Sequence, residues 1–346
     1  MMPTPPNSLH YAGLTTQCSQ NYCTPTVFIK FSEFESGIEI ETEEDRGHTG
    51  TRSLYLGEDR TKGFAAPSFT DRLRPEQGLE DFMYHILGTY QKESYGTKTK
   101  EYIFTPTDND LPKVSITHGF NYSTIGARGF PNAIADELEV TMDAERPPEL
   151  KIKYISDFPE YGKTEPTLTF PSNAPPSFKS SQLSAYMGEV GGVNEETDRI
   201  PCMTEGNIKI SNNIDTSICA GTTIGSVVKD VKELTVEGSF KMRYTGTEYE
   251  RLWATGSLTG TTMSPNNLTR SLRFKYEGGL IESVSGTDYK YTLQFDIPKA
   301  NLKFTESESG DDAKTVEAEF KGATHLTNPI VTITCISQLS DLHITP

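Results

Sequence analysis

The sequence predicts a mainly β fold made of two antiparallel β-sandwich or barrel modules, each with one flanking α-helix. Three observations support this fold class. Many stretches alternate apolar and polar residues with the period of two that is typical of strands. Two short stretches have helical spacing instead, and similar segments follow one another in the same order in both halves of the 346-residue chain. At about 150 residues per domain, this length suits two domains.

The first half begins with a polar arm and continues into strands. Residues 1–27 contain four prolines and are expected to form an arm without a core of its own. The first module is expected over residues 28–158. In its opening strand, Ile38 and Ile40 alternate with glutamates. This alternation places Glu39, Glu41 and Glu43 together on the opposite face of the strand.

A polar loop and then a helix are predicted after this strand. Residues 48–68 are rich in Gly, Thr and charged residues and are too long for a tight turn. Pro75 suits the first turn of a helix and Gly88 suits its end. Between them, apolar residues recur at helical spacing. His85 lies within this pattern and is expected to pack in the core and not to bind a metal.

The second half repeats this order of segments. Residues 159–205 are rich in Pro and Gly and are expected to form a connector, followed by a second module over residues 206–346. A Thr/Gly-rich stretch again precedes an alternating strand and a short helix, which ends at Gly256. The two halves share almost no identity, so the common order indicates either duplication or independent hairpin patterning.

Composition and motifs argue against several function classes. The net charge of −16 and the pI of about 4.9 make general binding of nucleic-acid phosphates unfavourable. No run of 18 apolar residues or secretory signal is visible, so no membrane span is expected. The five cysteines form no CxxC pair and are expected to be reduced thiols. Phosphate-loop, HExxH and GxSxG motifs are absent from the sequence, so neither enzymatic activity nor a cofactor is expected.

Several segments resemble the tail tube proteins of long-tailed, non-contractile phages of the siphovirus group. The resemblance covers about residues 28–158 and 205–338 and lies in the order and character of the segments. In the first half it is carried by SEFESGIEIETEEDRGHTGTRSLYLGEDRTKGFAAPSF and LRPEQGLEDFMYHILG, and in the second by VKELTVEGSFKMRYTGTEYERLWATG, YTLQFDIPKANLKF and VTITCIS.

The resemblance implies a virion structural protein that is made in the host cytoplasm and assembles into the tail. Copies are expected to pair through edge strands into rings, and stacked rings to form a tube that conducts the genome without specific DNA binding. A fused duplicate is expected to form trimeric, pseudo-hexameric rings in preference to hexamers. Tape measure, tail terminator and tip proteins are the other expected partners.

The same resemblance implies roles for individual residues. The long loop over residues 46–68, and a similar stretch over 214–229, are expected to contact the neighbouring ring. The candidate contact residues of the first loop are Thr51, Arg52, Leu54, Tyr55, Leu56, Arg60 and Lys62. The candidate acidic residues of the lumen, which would repel phosphate, are Glu39, Glu41, Glu43, Glu137 and Glu139. A solvated outer face would produce the same alternation.

Two other function classes remain open from the sequence. A two-domain β-sandwich adhesin or carbohydrate-binding module fits the strand pattern, but it would be expected to show a secretory signal and an aromatic platform. A hydrolase that uses clustered carboxylates, such as Glu43, Glu44 and Asp45, is the third possibility. Acids at strand ends are more often a solvated face.

Overall fold

A computed structural model confirms the mainly β fold, with antiparallel strands and two short helices among the residues it describes. It describes residues 10–16, 25, 27–29, 31–46, 55–120, 126–163, 175–218, 225–243, 248–257, 260–264, 268–307 and 315–343. Within these ranges, no helix has the length and apolar character needed to cross a membrane.

In the part of the first half that the structure describes, there are twelve strands and one helix. In chain order they are β1 (His10–Thr16), β2 (Val27–Ile29), β3 (Glu33–Glu35), β4 (Ile38–Arg46), β5 (Tyr55–Ala65), β6 (Ser68–Arg72), α1 (Leu79–Leu87), β7 (Gly88–Ser94), β8 (Lys100–Pro106), β9 (Val114–Phe120), β10 (Ala127–Asp143), β11 (Glu149–Asp157) and β12 (Glu160–Lys163).

Within its described residues, the second half contributes nine strands, one helix and a 3-10 turn at residues 180–182. In chain order the strands and the helix are β13 (Leu183–Gly188), β14 (Met203–Ser211), β15 (Asp215–Ser217), β16 (Val228–Asp230), β17 (Thr235–Arg243), α2 (Glu248–Thr255), β18 (Leu268–Val284), β19 (Thr287–Ser307), β20 (Thr315–Gly322) and β21 (Thr332–Ser337).

The strand pairings reveal a structural repeat. In the first half, hydrogen-bonded neighbours run in the order β3–β6–β11–β10–β9, and in the second half in the order β14–β17–β20–β19–β18. In both runs the helix follows the second strand of the order, and every pairing is antiparallel. The common topology favours duplication over independent patterning, because unrelated hairpins have no reason to share one complete order.

The two repeats are joined into one sheet by β10 and β14. Seven residue pairs connect these strands, from Glu137↔Ser211 to Asp143↔Glu205. The result is a continuous sheet in the order β3–β6–β11–β10–β14–β17–β20–β19, which we call the eight-stranded sheet.

Two long strands connect this sheet to further strands. The first part of β10 pairs with β9 and β12, and the first part of β19 pairs with β18 and β21. On the far side of β9 lies β1, and at the equivalent place beside β18 lies β13. A second link between the halves is made where β21 pairs with β8.

One apolar core lies behind the eight-stranded sheet and contains residues of both halves. Leu138 and Val140 of β10 and Ile208 and Ile210 of β14 are fully buried in it, and so is Phe240 of β17. Burial of each such side chain contributes roughly 1.5–3 kcal/mol. Because one cluster spans the junction, each repeat depends on the other for part of its core.

The helix ends follow from glycine geometry. Glu76 and Gly78 have φ values of 62° and 89°, which are incompatible with a helix, so α1 begins at Leu79 and not at Pro75 as the sequence suggested. Gly88, at φ 86°, donates its N–H to the Tyr84 carbonyl and ends the helix as expected. His85 is buried, with Nδ1 2.9 Å from the Tyr154 hydroxyl, which confirms its packing role.

Three segments contain more regular structure than their sequences suggested. The expected N-terminal arm includes β1, which pairs with β9 and buries Ala12 and Leu14. The expected loop 48–68 includes β5, whose charged residues pair with β4 outside the main core and so lack an apolar alternation. The expected connector 159–205 includes β12 and β13, which pair with β10 and β18.

A buried carboxyl group at the start of α1 gives the first testable prediction. Both oxygens of Glu80 accept hydrogen bonds from the Glu76 N–H, at 3.1 and 3.0 Å, and burial raises the pKa of Glu80 from 4.5 to about 7. Because the folded-state pKa is the higher one, this group's contribution is fully present below about pH 4.5. It is lost as the pH rises through about 7.

The variant Glu80→Gln is therefore expected to unfold like the wild type at pH 4 and to exceed its free energy of unfolding at pH 8, by on the order of 2 kcal/mol. Urea denaturation at several pH values measures this difference. The exposed Glu149→Gln, which likewise replaces a carboxylate with an amide, provides the control. A difference between Glu80→Gln and the wild type that stays constant from pH 4 to pH 8 would contradict the prediction.

Candidate assembly surface

The second face of the eight-stranded sheet is polar and exposed. Along β10, buried Leu138 and Val140 alternate with the half-buried Glu137 and Glu139. The same alternation holds in the neighbouring strands, where polar residues stand opposite one another across the pairings. This face, which we call the charged face, is carried by Glu33, Glu35, Arg72, Glu137, Glu139, Glu149, Lys151, Lys153, Glu205, Lys209, Glu237, Lys241, Glu317, Glu319, Lys303 and Lys321.

Ion pairs connect the strands across this face. The Lys209 Nζ lies 2.8 Å from Glu137, and the Lys241 Nζ lies 3.0 Å from Glu205. The hydrogen bond to Glu137 raises the pKa of Lys209. Two further pairs, each at 3.5 Å, join Lys151 to Glu35 and Lys303 to Glu319. Such exposed pairs contribute little stability individually, but each lysine named here carries its own carboxylate neighbour.

The structure brings two of the predicted acids together and adds lysines that the sequence analysis missed. Glu137 and Glu139 both lie on the charged face, the first paired with Lys209 and the second accepting a hydrogen bond from the Asn207 amide at 3.4 Å. Lys151 stands directly opposite Glu139 on β11. The alternating lysines of KIKYIS and NIKIS share the strand period of these acids, so the signal was present in the sequence.

A hairpin formed by β4 and β5, which we call the first arm, extends from the sheet. It carries Glu39, Glu41 and Glu43, which are all exposed on β4. The Lys62 ammonium lies 3.0 Å from Glu41 and also donates to the Thr216 carbonyl at 3.0 Å.

Of the other candidate contact residues, three lie in β5 and three lie outside the described residues. Arg60 is exposed on β5, opposite Thr42. Tyr55 and Leu56 belong to β5, but their side chains lie outside the described residues. Thr51, Arg52 and Leu54 also lie outside them.

The small hairpin β15–β16, the second arm, occupies the equivalent place in the second repeat. It is held by an ion pair between Lys229 and Asp157 at 2.6 Å, whose side chains are only 5% and 10% exposed. Burial lowers the pKa of Lys229, and Asp157 opposes that shift. Asp157 also accepts from the Asn132 amide at 2.6 Å and from the Val227 N–H at 3.3 Å.

An apolar cluster lies where the two arms meet. It consists of Phe64 and Ala66 from the first arm and its base, Ile155 of β11 and Val227. The Phe158 N–H donates to the Gly225 carbonyl at 2.9 Å and fixes the same region. Both arms therefore leave the fold side by side.

A family model described as phage tail tube protein matches residues 32–322. The match begins one residue before β3 and ends with the last residue of β20, so it spans the whole eight-stranded sheet and both repeats. The chain belongs to the phage tail tube protein family. A search of the curated proteins gave no match. As a tail tube protein it is a structural component of the phage tail, and its family assembles into a tube.

The features of this tail tube protein fit a structural role. The described residues contain no group of three or more His, Cys, Asp or Glu side chains that could hold a metal ion. What the repeats bring together is a broad charged face, two neighbouring arms and a sheet with two ends.

Proposed function

We propose that this chain is the major tail tube subunit of a long-tailed phage of the siphovirus group, and that three copies form a ring of six modules. The observation that carries the proposal is the eight-stranded sheet. One of its faces covers the core, the other is charged, and its two ends are strands of different repeats. A head-to-tail contact between such ends generates either a closed ring or an open helix, and a tube of stacked rings requires closure.

In this proposal the charged face lines the lumen, with Glu137 and Glu139 on the wall and Glu39, Glu41 and Glu43 continuing along the first arm. Phosphates bind where lysines are free to replace counterions. Several lysines of this face have a carboxylate neighbour instead, among them Lys209 beside Glu137 and Lys241 beside Glu205. Together with the chain's net charge of −16, this arrangement favours passage of the genome over its retention.

The two arms contact the neighbouring ring. They leave the fold at equivalent positions of the two repeats, between the first and second strands of each order. Ile38 and Ala65 contact the main core at the base of the first arm. The pairing of β4 with β5 continues the hairpin beyond them, which suits an element that packs against another molecule.

Negative-stain electron microscopy of the purified protein tests the proposal. The wild type is expected to form hollow tubes whose cross-sections contain three subunits. Replacing residues 47–54, which connect β4 to β5 along the chain, with Asn-Gly is expected to leave folded rings that no longer stack, because a two-residue turn closes the hairpin but removes the contact. Residues 121–125, which connect β9 to β10, provide the control site for the same replacement, with tubes expected.

Two results would count against this reading. A wild-type chain that stays monomeric at all concentrations, or that is absent from tail shafts, contradicts the tube subunit itself. Normal tubes from the arm-tip variant contradict only the role of the first arm.

A further inference from the structure

The two ends of the eight-stranded sheet are strand edges without a partner among the described residues. At one end, β3 pairs with β6 on a single side. At the other end, residues 303–307 of β19 pair with β20 on a single side, because the pairing of β19 with β18 stops at Leu302↔Leu268. Unpaired edges of this kind are sites where another chain can add a strand.

The pairing of β10 with β14 inside the chain shows how two such edges can join. In the two strand orders given above, β3 and β14 occupy the first position, and β10 and β19 occupy the fourth. The strands β10 and β14 pair side by side in the middle of the sheet, over Glu137–Asp143 and Glu205–Ser211. The free edges are therefore the same two strand positions, in the opposite repeats.

The internal junction also gives a register for the external one. Glu33↔Thr70 in the first repeat corresponds to Glu205↔Lys241 in the second, and this register continues without a shift from β3 into β4, through Glu35↔Ser68 and Ile38↔Ala65. The hairpins β10–β11 and β19–β20 match as well, because seven residues of chain separate the last paired residues of each, Thr141↔Glu149 and Ser307↔Thr315.

We infer that β3 and the start of β4 of one copy pair with the end of β19 of a second copy, as an antiparallel ladder. The equivalences place Glu35 opposite Ser307, Gly37 opposite Thr305, and Glu39 opposite Lys303. This inference rests on the proposed ring and defines the partner surface that closes it.

Side-chain chemistry supports this register on both faces of the ladder. On the charged face, the exposed carboxylate of Glu39 meets the Lys303 ammonium, whose side chain is 75% exposed in the single chain. On the core face, Ile38 meets Phe304, as Ile210 meets Leu138 at the internal junction. A shift of one residue would place both pairs on the wrong faces.

Ile40 gives an independent indication that this edge is covered. Its side chain is 42% exposed in the single chain, although it lies on the face that turns toward the core. Its equivalent in the second repeat is Asn212, which is buried and donates to the Ile86 carbonyl of α1 at 3.0 Å. In the ladder, Ile40 occupies the matching place against the neighbour's second repeat.

Disulfide trapping on assembled protein tests the ladder. The background carries serine at Cys18, Cys23, Cys202 and Cys219 and keeps the buried Cys335. Directly opposite residues in an antiparallel pair lie 4.5–5.5 Å apart, within the range that a disulfide spans. The double variant Glu39→Cys/Lys303→Cys is expected to form covalent multimers under mild oxidation, seen as a ladder on a non-reducing gel that ends at the ring size. Glu35→Cys/Ser307→Cys is the second in-register pair and should give the same ladder.

The shifted pair Glu39→Cys/Thr305→Cys is the matched control, because diagonal neighbours lie beyond about 7 Å. It is expected to cross-link at least several-fold less than the two in-register pairs, and each single-cysteine variant less again. Tubes in which the shifted pair cross-links best, or in which neither in-register pair cross-links, would overturn the ladder and leave the proposed function standing. A wild-type chain that forms no assemblies would overturn both.

Discussion

The variant Asp157→Ala is expected to lose about 3–5 kcal/mol of unfolding free energy, because it leaves the ammonium of Lys229 buried without its counter-charge. Removal of one partner of a buried pair costs more than the pair itself contributes. Two hydrogen bonds from Asn132 and Val227 to the same carboxylate are lost together with the ion pair. Urea denaturation measures the loss.

We expect Asp157→Ala to impair the stacking of rings as well as to lower the free energy of unfolding. Lys229 belongs to the second arm and Asp157 to the end of β11, so the pair is the polar anchor of that arm. We therefore expect Asp157→Ala to detach the second arm and to reduce ring stacking in electron micrographs. The double variant Asp157→Leu/Lys229→Met, which removes both charges and keeps their volume, should recover most of the stability.

The exposed pair between Lys232 and Asp215, at 3.9 Å, supplies the control in the same arm. Asp215→Asn is expected to change the unfolding free energy by less than about 1 kcal/mol. If Asp157→Ala were no more destabilising than Asp215→Asn, the assignment of Asp157 as the anchor would be wrong.

Truncation of either of two equivalent phenylalanines is expected to destabilise the whole chain by about 3–5 kcal/mol. Phe69 of β6 and Phe240 of β17 occupy the same position in the two repeats, and their side chains are 1% and 0% exposed. Phe69 lies 6.1 Å from Phe82 of α1, and Phe240 lies 6.1 Å from Phe274 of β18, measured between ring centroids.

Because one core cluster contains both phenylalanines, Phe69→Ala and Phe240→Ala should each give a single unfolding transition shifted to lower denaturant. Intrinsic fluorescence and far-UV circular dichroism should report the same midpoint. Leu326→Ala, at a fully exposed side chain, is the control without an expected shift. A biphasic transition in Phe69→Ala, with half of the signal unchanged, would show that the repeats unfold as separate domains.

Much of the fold could be predicted from the sequence, because helix ends and strand faces depend on residues that are close together along the chain. Glycines ended both helices as predicted: Gly88 has φ 86°, and Gly256 has φ 76° and donates to the Leu252 carbonyl. Strict alternation identified the strands that carry the core on one face, such as β10 and β17. The start of α1 was missed, because a left-handed Glu76 is not expected from its residue type.

The candidate surface was less readable, because its contacts join distant parts of the chain. Glu137 was selected as an acid, but its partner Lys209 lies on another strand of the other repeat. In the first arm, the alternation of β4 predicts a strand, but β5 falls in the expected loop because its charged residues carry no apolar period. Lys229 and Asp157 gave no signal at all, because only the folded chain brings a lysine at the second arm into contact with the end of β11.

The ladder between β10 and β14 has a consequence for how quickly and how uniformly rings can grow. In the proposed ring, where two modules share one polypeptide, every second module junction would form within a molecule, at a high effective concentration and without the loss of translational freedom that a bimolecular encounter incurs. The tethered and the untethered junctions are also free to carry different side chains. In a fused chain of this kind, substitutions can change the affinity between copies without changing the internal pairing of β10 with β14.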